Sequence, residues 1–175
     1  TVNSHIIRSE CHARTSKTIN KSHMKHILFV CLGNICRSPM AEEVFRSLAN
    51  RSGRADEFVA DSAGLIDFHE GELPDSRMRA HASRRGYRLT HHSRPVRPDD
   101  FRKFDLIVGM DEQNIKGLQR MAQSADDATK IVRMADYLIH SGAPYVPDPY
   151  YGSDKDFELV IDLLEEACTE LLNRL

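Results

Sequence analysis

His26-Ile-Leu-Phe-Val-Cys-Leu-Gly-Asn-Ile-Cys-Arg-Ser-Pro-Met40 decides how this chain is read. Ile27 to Val30 is a short apolar run, of the kind that makes a buried strand. It ends at Cys31, and Arg37, Ser38 and Pro39 then open an amphipathic segment. The pattern predicts a strand, a tight loop and a helix. Ser38 is expected as the N-cap, with Pro39 at the first helical position. The amides of such a loop and the helix N-terminus form a small bowl that attracts anions. A cysteine on its floor is drawn toward the thiolate by the helix end and a guanidinium. An arginine on its rim grips two oxygens of a phosphate at once. Residues 31–37 thus offer a nucleophile, an oxyanion cradle and a clamp, the equipment for phosphoryl transfer through a covalent cysteine intermediate. Cysteine and arginine at this spacing alone leave open an ordinary strand-to-helix turn. A nucleotide-binding Walker loop is excluded, because its Gly-Lys-Ser/Thr ending is absent.

Outside this stretch, strands and helices alternate. Met40, Ala41, Val44, Phe45 and Leu48 recur at helical spacing, predicting a helix to about Asn50 that stops before Gly53. Residues 58–62 read as a second strand, and residues 65–75 as a long polar loop. A helix is expected over 76–85, ending at Gly86, and a third strand over 106–110. Asp111 is expected to cap a helix that faces Ile115, Leu118 and Met121 inward. A short fourth strand is expected over 129–133. The last helix begins near Ser153, with Asp156 completing a capping box. Cys168 falls on its apolar stripe and is expected in the core. This alternation predicts a parallel sheet covered on both faces, with ligands beyond the carboxyl ends of its strands. Cys31 lies at one such end.

The chain has 175 residues, 41% hydrophobic and 29% charged, which suits one globular domain. Its formal net charge of −2 gives no basic footprint for nucleic acid. No apolar stretch is long enough to span a membrane. Cys11, Cys31, Cys36 and Cys168 are scattered without zinc-ligand spacing, so a reduced, cytoplasmic protein is expected. Residues 1–23 are polar and basic without periodicity, and are expected to be a flexible extension or non-native leader before a domain at 24–175.

Cys31-Leu-Gly-Asn-Ile-Cys-Arg-Ser-Pro39 resembles the signature of the low-molecular-weight protein tyrosine phosphatases. The resemblance covers roughly residues 25–175. It implies a three-layer α/β/α fold with a small four-stranded parallel sheet and the phosphate loop after the first strand. It implies Cys31 as nucleophile and Arg37 as clamp, with Leu32, Gly33, Asn34, Ile35, Cys36 and Ser38 around the phosphate. It also implies that Ser38, Ser62 and His91 hold Asn34, and that Cys36 is near enough to Cys31 for a protective disulfide. His91 alone would read as a surface residue in a polar stretch.

The Pro147-Asp148-Pro149-Tyr150-Tyr151 segment is too proline-rich for a helix or central strand. Alone it reads as a turn. Beside the cysteine loop it resembles the family's general-acid loop, which makes Asp148 the proton donor to a departing phenolate. Tyr150 and Tyr151 would then wall a flat ring, and Phe68, with His69 beside it, would line the pocket mouth. The implied enzyme needs no metal or cofactor and acts on phosphotyrosine proteins or aryl phosphates, with a tyrosine kinase as one candidate substrate. Three alternatives remain at this stage. An arsenate reductase of this fold needs a cysteine relay, but residues 80–94 contain no cysteine pair. A protein arginine phosphatase carries threonine where Ile35 stands. A silent phosphotyrosine-binding module would lack a nucleophile or acid.

Overall fold

A computed structural model describes residues 23–175. The first strand, β1 (Lys25–Cys31), leads through the cysteine loop into α1 (Arg37–Arg51), as the sequence predicts. There follow β2 (Phe58–Gly64), α2 (Ser76–Arg84), α3 (Asp100–Lys103), β3 (Leu106–Gly109), α4 (Glu112–Met121), α5 (Ala125–Thr129), β4 (Ile131–Arg133) and α6 (Asp154–Arg174). The four strands form one parallel sheet in the order β2-β1-β3-β4, with Cys31 paired to Gly64 at the end of the ladder.

The twofold period of a strand sorts β1 onto two cores. Ile27, Phe29 and Cys31 pack with α1, α2 and α6, against Met40, Phe45, Met78, Phe157 and Val160. Leu28 and Val30 face Phe101, Phe104 and Leu118 of the α3–α4 side. Ile27, Leu28, Phe29 and Val30 are wholly buried, each adding roughly 2 kcal/mol of apolar transfer free energy. The sheet is thus covered on both faces, the expected three-layer arrangement. Cys168 is wholly buried in the α1–α6 core, as its stripe predicts.

Caps set the helix ends. The Asp111 side chain accepts from the Asn114 amide at the start of α4, and Ser153 with Asp156 forms the expected capping box on α6. Ser38 is not a cap. The N-cap of α1 is Cys36, which places Ser38 and Pro39 second and third in the helix. The Ser38 hydroxyl lies 3.0 Å from Cys31 Sγ and accepts from Asn34 Nδ2 at 2.8 Å, so it serves the loop instead of the helix end. Pro39 costs no hydrogen bond there, because first-turn amides have no intrahelical partner. The fourth strand is shorter than expected. Ser124 caps α5 by accepting from the Asp127 amide, and this helix takes Thr129 before β4 begins. The expected leader falls, except for its last residue, outside the described residues, as does Cys11.

Candidate active site

β1 delivers Cys31 to the carboxyl edge of the sheet, and α1 carries Arg37 back over it. Between them Asn34 has a positive φ of 56°, a left-handed geometry that asparagine tolerates. Among the described residues, the amides of residues 32–37 donate to no other protein group. They belong to the turn that meets the α1 N-terminus and are free to serve an anion.

Asn34 is wholly buried and fully bonded. Its Nδ2 donates to Ser38 Oγ at 2.8 Å and to Ser62 Oγ at 3.0 Å. Its Oδ1 accepts from His91 Nε2 at 2.9 Å and from the Arg94 amide at 3.0 Å. Ser62 Oγ in turn donates a hydrogen bond to Glu42 Oε2 at 2.6 Å. Ser38 Oγ and Cys31 Sγ form a hydrogen bond at 3.0 Å, and Ser38 Oγ also lies 3.4 Å from Ala63 O as a donor. The structure therefore brings Asn34, Ser38, Ser62 and His91 together, as the resemblance implies. Glu42, which sequence reading missed, closes this brace from α1; no local pattern marks it. Gly64 is a second missed support. A Cβ there would stand 2.8 Å from Leu32 O and 3.1 Å from Asn34 N, so only glycine lets the loop lie this close to β2.

Glu42, Asp61 and His91 are the one group among the described residues with metal-ligand proximity. Each already has protein partners: Ser62 and Arg46 for Glu42, Arg94 for Asp61, Asn34 for His91. The chemistry of the set is that of a hydrogen-bonded brace behind the loop.

Arg37 is only 2% exposed. Its Nη1 donates to Asp111 Oδ2 at 2.6 Å and to Val146 O at 3.0 Å, and its Nη2 lies 3.4 Å from Asp148 Oδ2. Burial opposes its charge, but Cys31, Asp111 and Asp148 outweigh that and hold its pKa above the ordinary value. Asp111 was expected only as a helix cap, which it performs with its other oxygen. Its position just past β3, at the carboxyl edge of a parallel sheet, was the available sign of a second duty. Cys36 lies buried beside the loop. Burial first, then Asp75, Cys31 and Asp148, push its thiol well above the ordinary range. Cys31 and Cys36 are both free thiols.

Asp148 sits on the proline loop, which is tied down where the Val146 amide donates to Met110 O at 2.9 Å. Its Oδ1 accepts from the Tyr150 amide at 3.2 Å, while the side chain remains 44% exposed. Cys31, Arg37 and Asp148 all line one cleft of about 310 Å³. Leu32, Gly33, Ile35 and Cys36 form its inner wall, and Phe68, His69, Tyr150 and Tyr151 its mouth. Two edge-to-face pairs make the rims, Phe68 with His69 at 4.8 Å and Tyr150 with Tyr151 at 4.9 Å. Ile66 also lines the cleft and was not anticipated. Asn34, Ser38, Ser62 and His91 stand behind the loop, out of the cleft wall.

A cysteine–arginine anion loop at the carboxyl edge of a doubly covered parallel sheet, overhung by a carboxylate, defines a class of phosphate-handling α/β proteins. The chain belongs to the low molecular weight phosphotyrosine protein phosphatase family, whose model matches residues 26–175. It is 42% identical over 148 residues to the low molecular weight protein-tyrosine-phosphatase of Streptomyces coelicolor, covering 83% of this chain and 90% of that one. The crystal structure of a protein tyrosine phosphatase from Entamoeba histolytica superposes with a TM-score of 0.84 at 43% identity, covering 86% of this chain and 96% of the other. A Drosophila arginine phosphatase superposes with a TM-score of 0.80 at 31% identity, covering 86% and 97%. No helix among the described residues is long and apolar enough to cross a membrane.

Proposed function

We propose that this chain hydrolyses phosphotyrosine in proteins, and aryl phosphates generally, through a phosphocysteine intermediate. The Cys31 thiolate attacks phosphorus, forming the S–P bond as the P–O bond to the phenol breaks. Asp148 gives its proton to the departing phenolate oxygen. Arg37 and the loop amides of residues 32–37 hold the three equatorial oxygens, where charge must be met in the transition state. Asp148, now ionised, takes a proton from water. The water oxygen displaces sulfur, releasing inorganic phosphate and restoring the thiolate. Ser38 supports that departure through its hydrogen bond to Cys31 Sγ.

The observation that carries this reading is the convergence of Cys31, Arg37 and Asp148 on one cleft with aromatic rims. Cys31→Ser is expected to abolish turnover of p-nitrophenyl phosphate; appreciable remaining activity would rule out the cysteine mechanism. The substrate assignment is tested by offering phosphotyrosine, phosphoserine and phosphoarginine peptides under chelation. Phosphotyrosine is expected to be strongly preferred.

The arginine phosphatase fold relative motivates the second reading. Ile35, 8% exposed and lining the cleft, speaks for a phenyl ring over a polar guanidinium. Preference for phosphoarginine would reverse the assignment. Tyrosine kinases of the same cytoplasmic compartment are candidate substrates, and the domain from Met24 to Leu175 is the unit that carries the activity.

A further inference from the structure

Charge is unevenly placed along this chain. Residues 76–98 contain seven arginines and three histidines but no aspartate or glutamate, in a protein of formal net charge −2. Four of those arginines are neutralised by the fold: Arg77 by Asp75, Arg85 by Glu158, Arg94 by Asp100 and Arg97 by Glu70. Among the described residues, Arg79, Arg84 and Arg88 pair with no carboxylate. Arg84 leans on His81 Nδ1 at 3.3 Å. Arg79 spends only its Nε, on Pro74 O at 2.9 Å.

Arg79 and Arg88, both exposed, line a groove of about 930 Å³ with exposed His92, between α2 and the segment that follows it. This groove has several times the volume that one phosphate requires, enough for a few residues of polypeptide. It begins beside the active cleft. Ser76 lines the groove, and its neighbour Asp75 donates its amide to Ile35 O of the cysteine loop at 2.8 Å. Arg77, one residue on, stacks over the Tyr150 ring at 5.4 Å. An extended chain advances roughly 3.3 Å per residue, so a few residues carry a peptide from the cleft onto α2. Across the mouth, exposed Asp67 carries the opposite sign.

We propose that the α2 groove docks an acidic segment of the phosphoprotein substrate, a few residues from the phosphotyrosine, through Arg79 and Arg88. The proposal rests on the phosphatase reading above and adds a selectivity to it. Exposed charges of this kind act on encounter and selection and are weakened by salt.

Two measurements on the full chain, with an Arg79→Glu/Arg88→Glu variant, test it. The first is fluorescence anisotropy of an unphosphorylated glutamate-rich peptide, which needs no catalysis. The wild-type chain is expected to bind it in a salt-sensitive way and the variant about tenfold more weakly. The second is kcat/KM for phosphotyrosine peptides flanked by glutamates or by serines, on either side. A wild-type preference for glutamate of about fivefold, the scale of two exposed ion pairs, is expected to vanish in the variant. Turnover of p-nitrophenyl phosphate and the melting temperature should be unchanged, since both arginines are exposed and lie outside the cleft. Equal use of both peptides by the wild-type chain, or a preference that survives in the variant, overturns the docking proposal while p-nitrophenyl phosphate turnover still supports the phosphatase reading. Absence of that turnover in the wild-type chain overturns the phosphatase reading, and anisotropy then decides the groove separately. Tighter binding of a single-stranded oligonucleotide than of the acidic peptide overturns the choice of a protein segment as occupant.

Discussion

The guanidinium of Arg37 joins Asp111 to Asp148, with Nη1 2.6 Å from Asp111 Oδ2 and Nη2 3.4 Å from Asp148 Oδ2. One buried cation therefore ties the end of β3 to the proline loop and overlooks Cys31. Its shape matters as well as its charge, because a planar fork satisfies three oxygens at once.

Arg37→Lys is accordingly expected to fail as a replacement. The ammonium keeps the charge but loses the fork. A fall in kcat of about a hundredfold or more is expected, the scale of a lost oxyanion donor. Steady-state kinetics on p-nitrophenyl phosphate measure it, and a loss below tenfold would mean that charge alone suffices.

Asp148→Asn removes the transferable proton while keeping the loop's shape. Loss should be slight for a leaving group that departs readily as an anion. It should approach roughly a hundredfold or more for a phenol of high pKa. A plot of log kcat/KM against leaving-group pKa steepens if Asp148 is the acid, and keeps the wild-type slope if it is not.

Asn34→Ala removes four hydrogen bonds and leaves a residue poorly suited to a φ of 56°. Each bond contributes about 1 kcal/mol and the left-handed geometry costs a further 1–2 kcal/mol or so. A loss of about 5 kcal/mol is expected, lowering the melting temperature by about 15 °C. Turnover should fall as well, because Ser38 would lose its orientation. Calorimetry together with kinetics checks both effects.

The thiols of Cys31 and Cys36 should react differently with iodoacetamide at neutral pH. Cys36 is raised chiefly by burial, with Asp75, Cys31 and Asp148 adding to it, so it stays protonated and weakly nucleophilic. Peptide mapping is expected to find alkylation at Cys31, prevented by vanadate, with Cys36 unmodified. Early labelling of Cys36 would contradict the burial seen here.

Asp75 gives a pH signature. Burial opposes its charge, but Arg77 and nearby amides outweigh this and hold its pKa below the ordinary value. Its stabilising contribution is thus present above the ordinary carboxylate range and fades as pH falls through the lowered folded value. The wild-type advantage over Asp75→Asn should be full at pH 6 and shrink in strong acid, as measured by urea unfolding.

The parts of the fold that sequence exposes are those written in contiguous residues. An apolar run, a turn and a helical stripe suffice to place β1, the cysteine loop and α1. The Asp148 loop is legible because its prolines leave few conformations. Asp111, Glu42 and Gly64 support the loop through tertiary approach, and of the three only Asp111, just past β3, carried a sign of it in the sequence. Ser38 was misplaced as a cap because it has the right chemistry for one; a sulfur and an amide compete for the same hydroxyl. The helices α3 and α5 span four and five residues, too few for a periodicity to declare itself. Ser124 caps α5 with its side chain, whereas Asp99 at the start of α3 makes no side-chain cap hydrogen bond.

Cys31 ends a strand hydrogen-bonded to neighbours on both sides, whereas Asp148 rides on a loop pinned beside it by the Val146 amide. Under the proposed mechanism the two reacting groups therefore differ in how much freedom they keep. Mutational drift in the proline loop can retune proton delivery without displacing the sulfur, so the choice of leaving group and the bonding to phosphorus are separately adjustable.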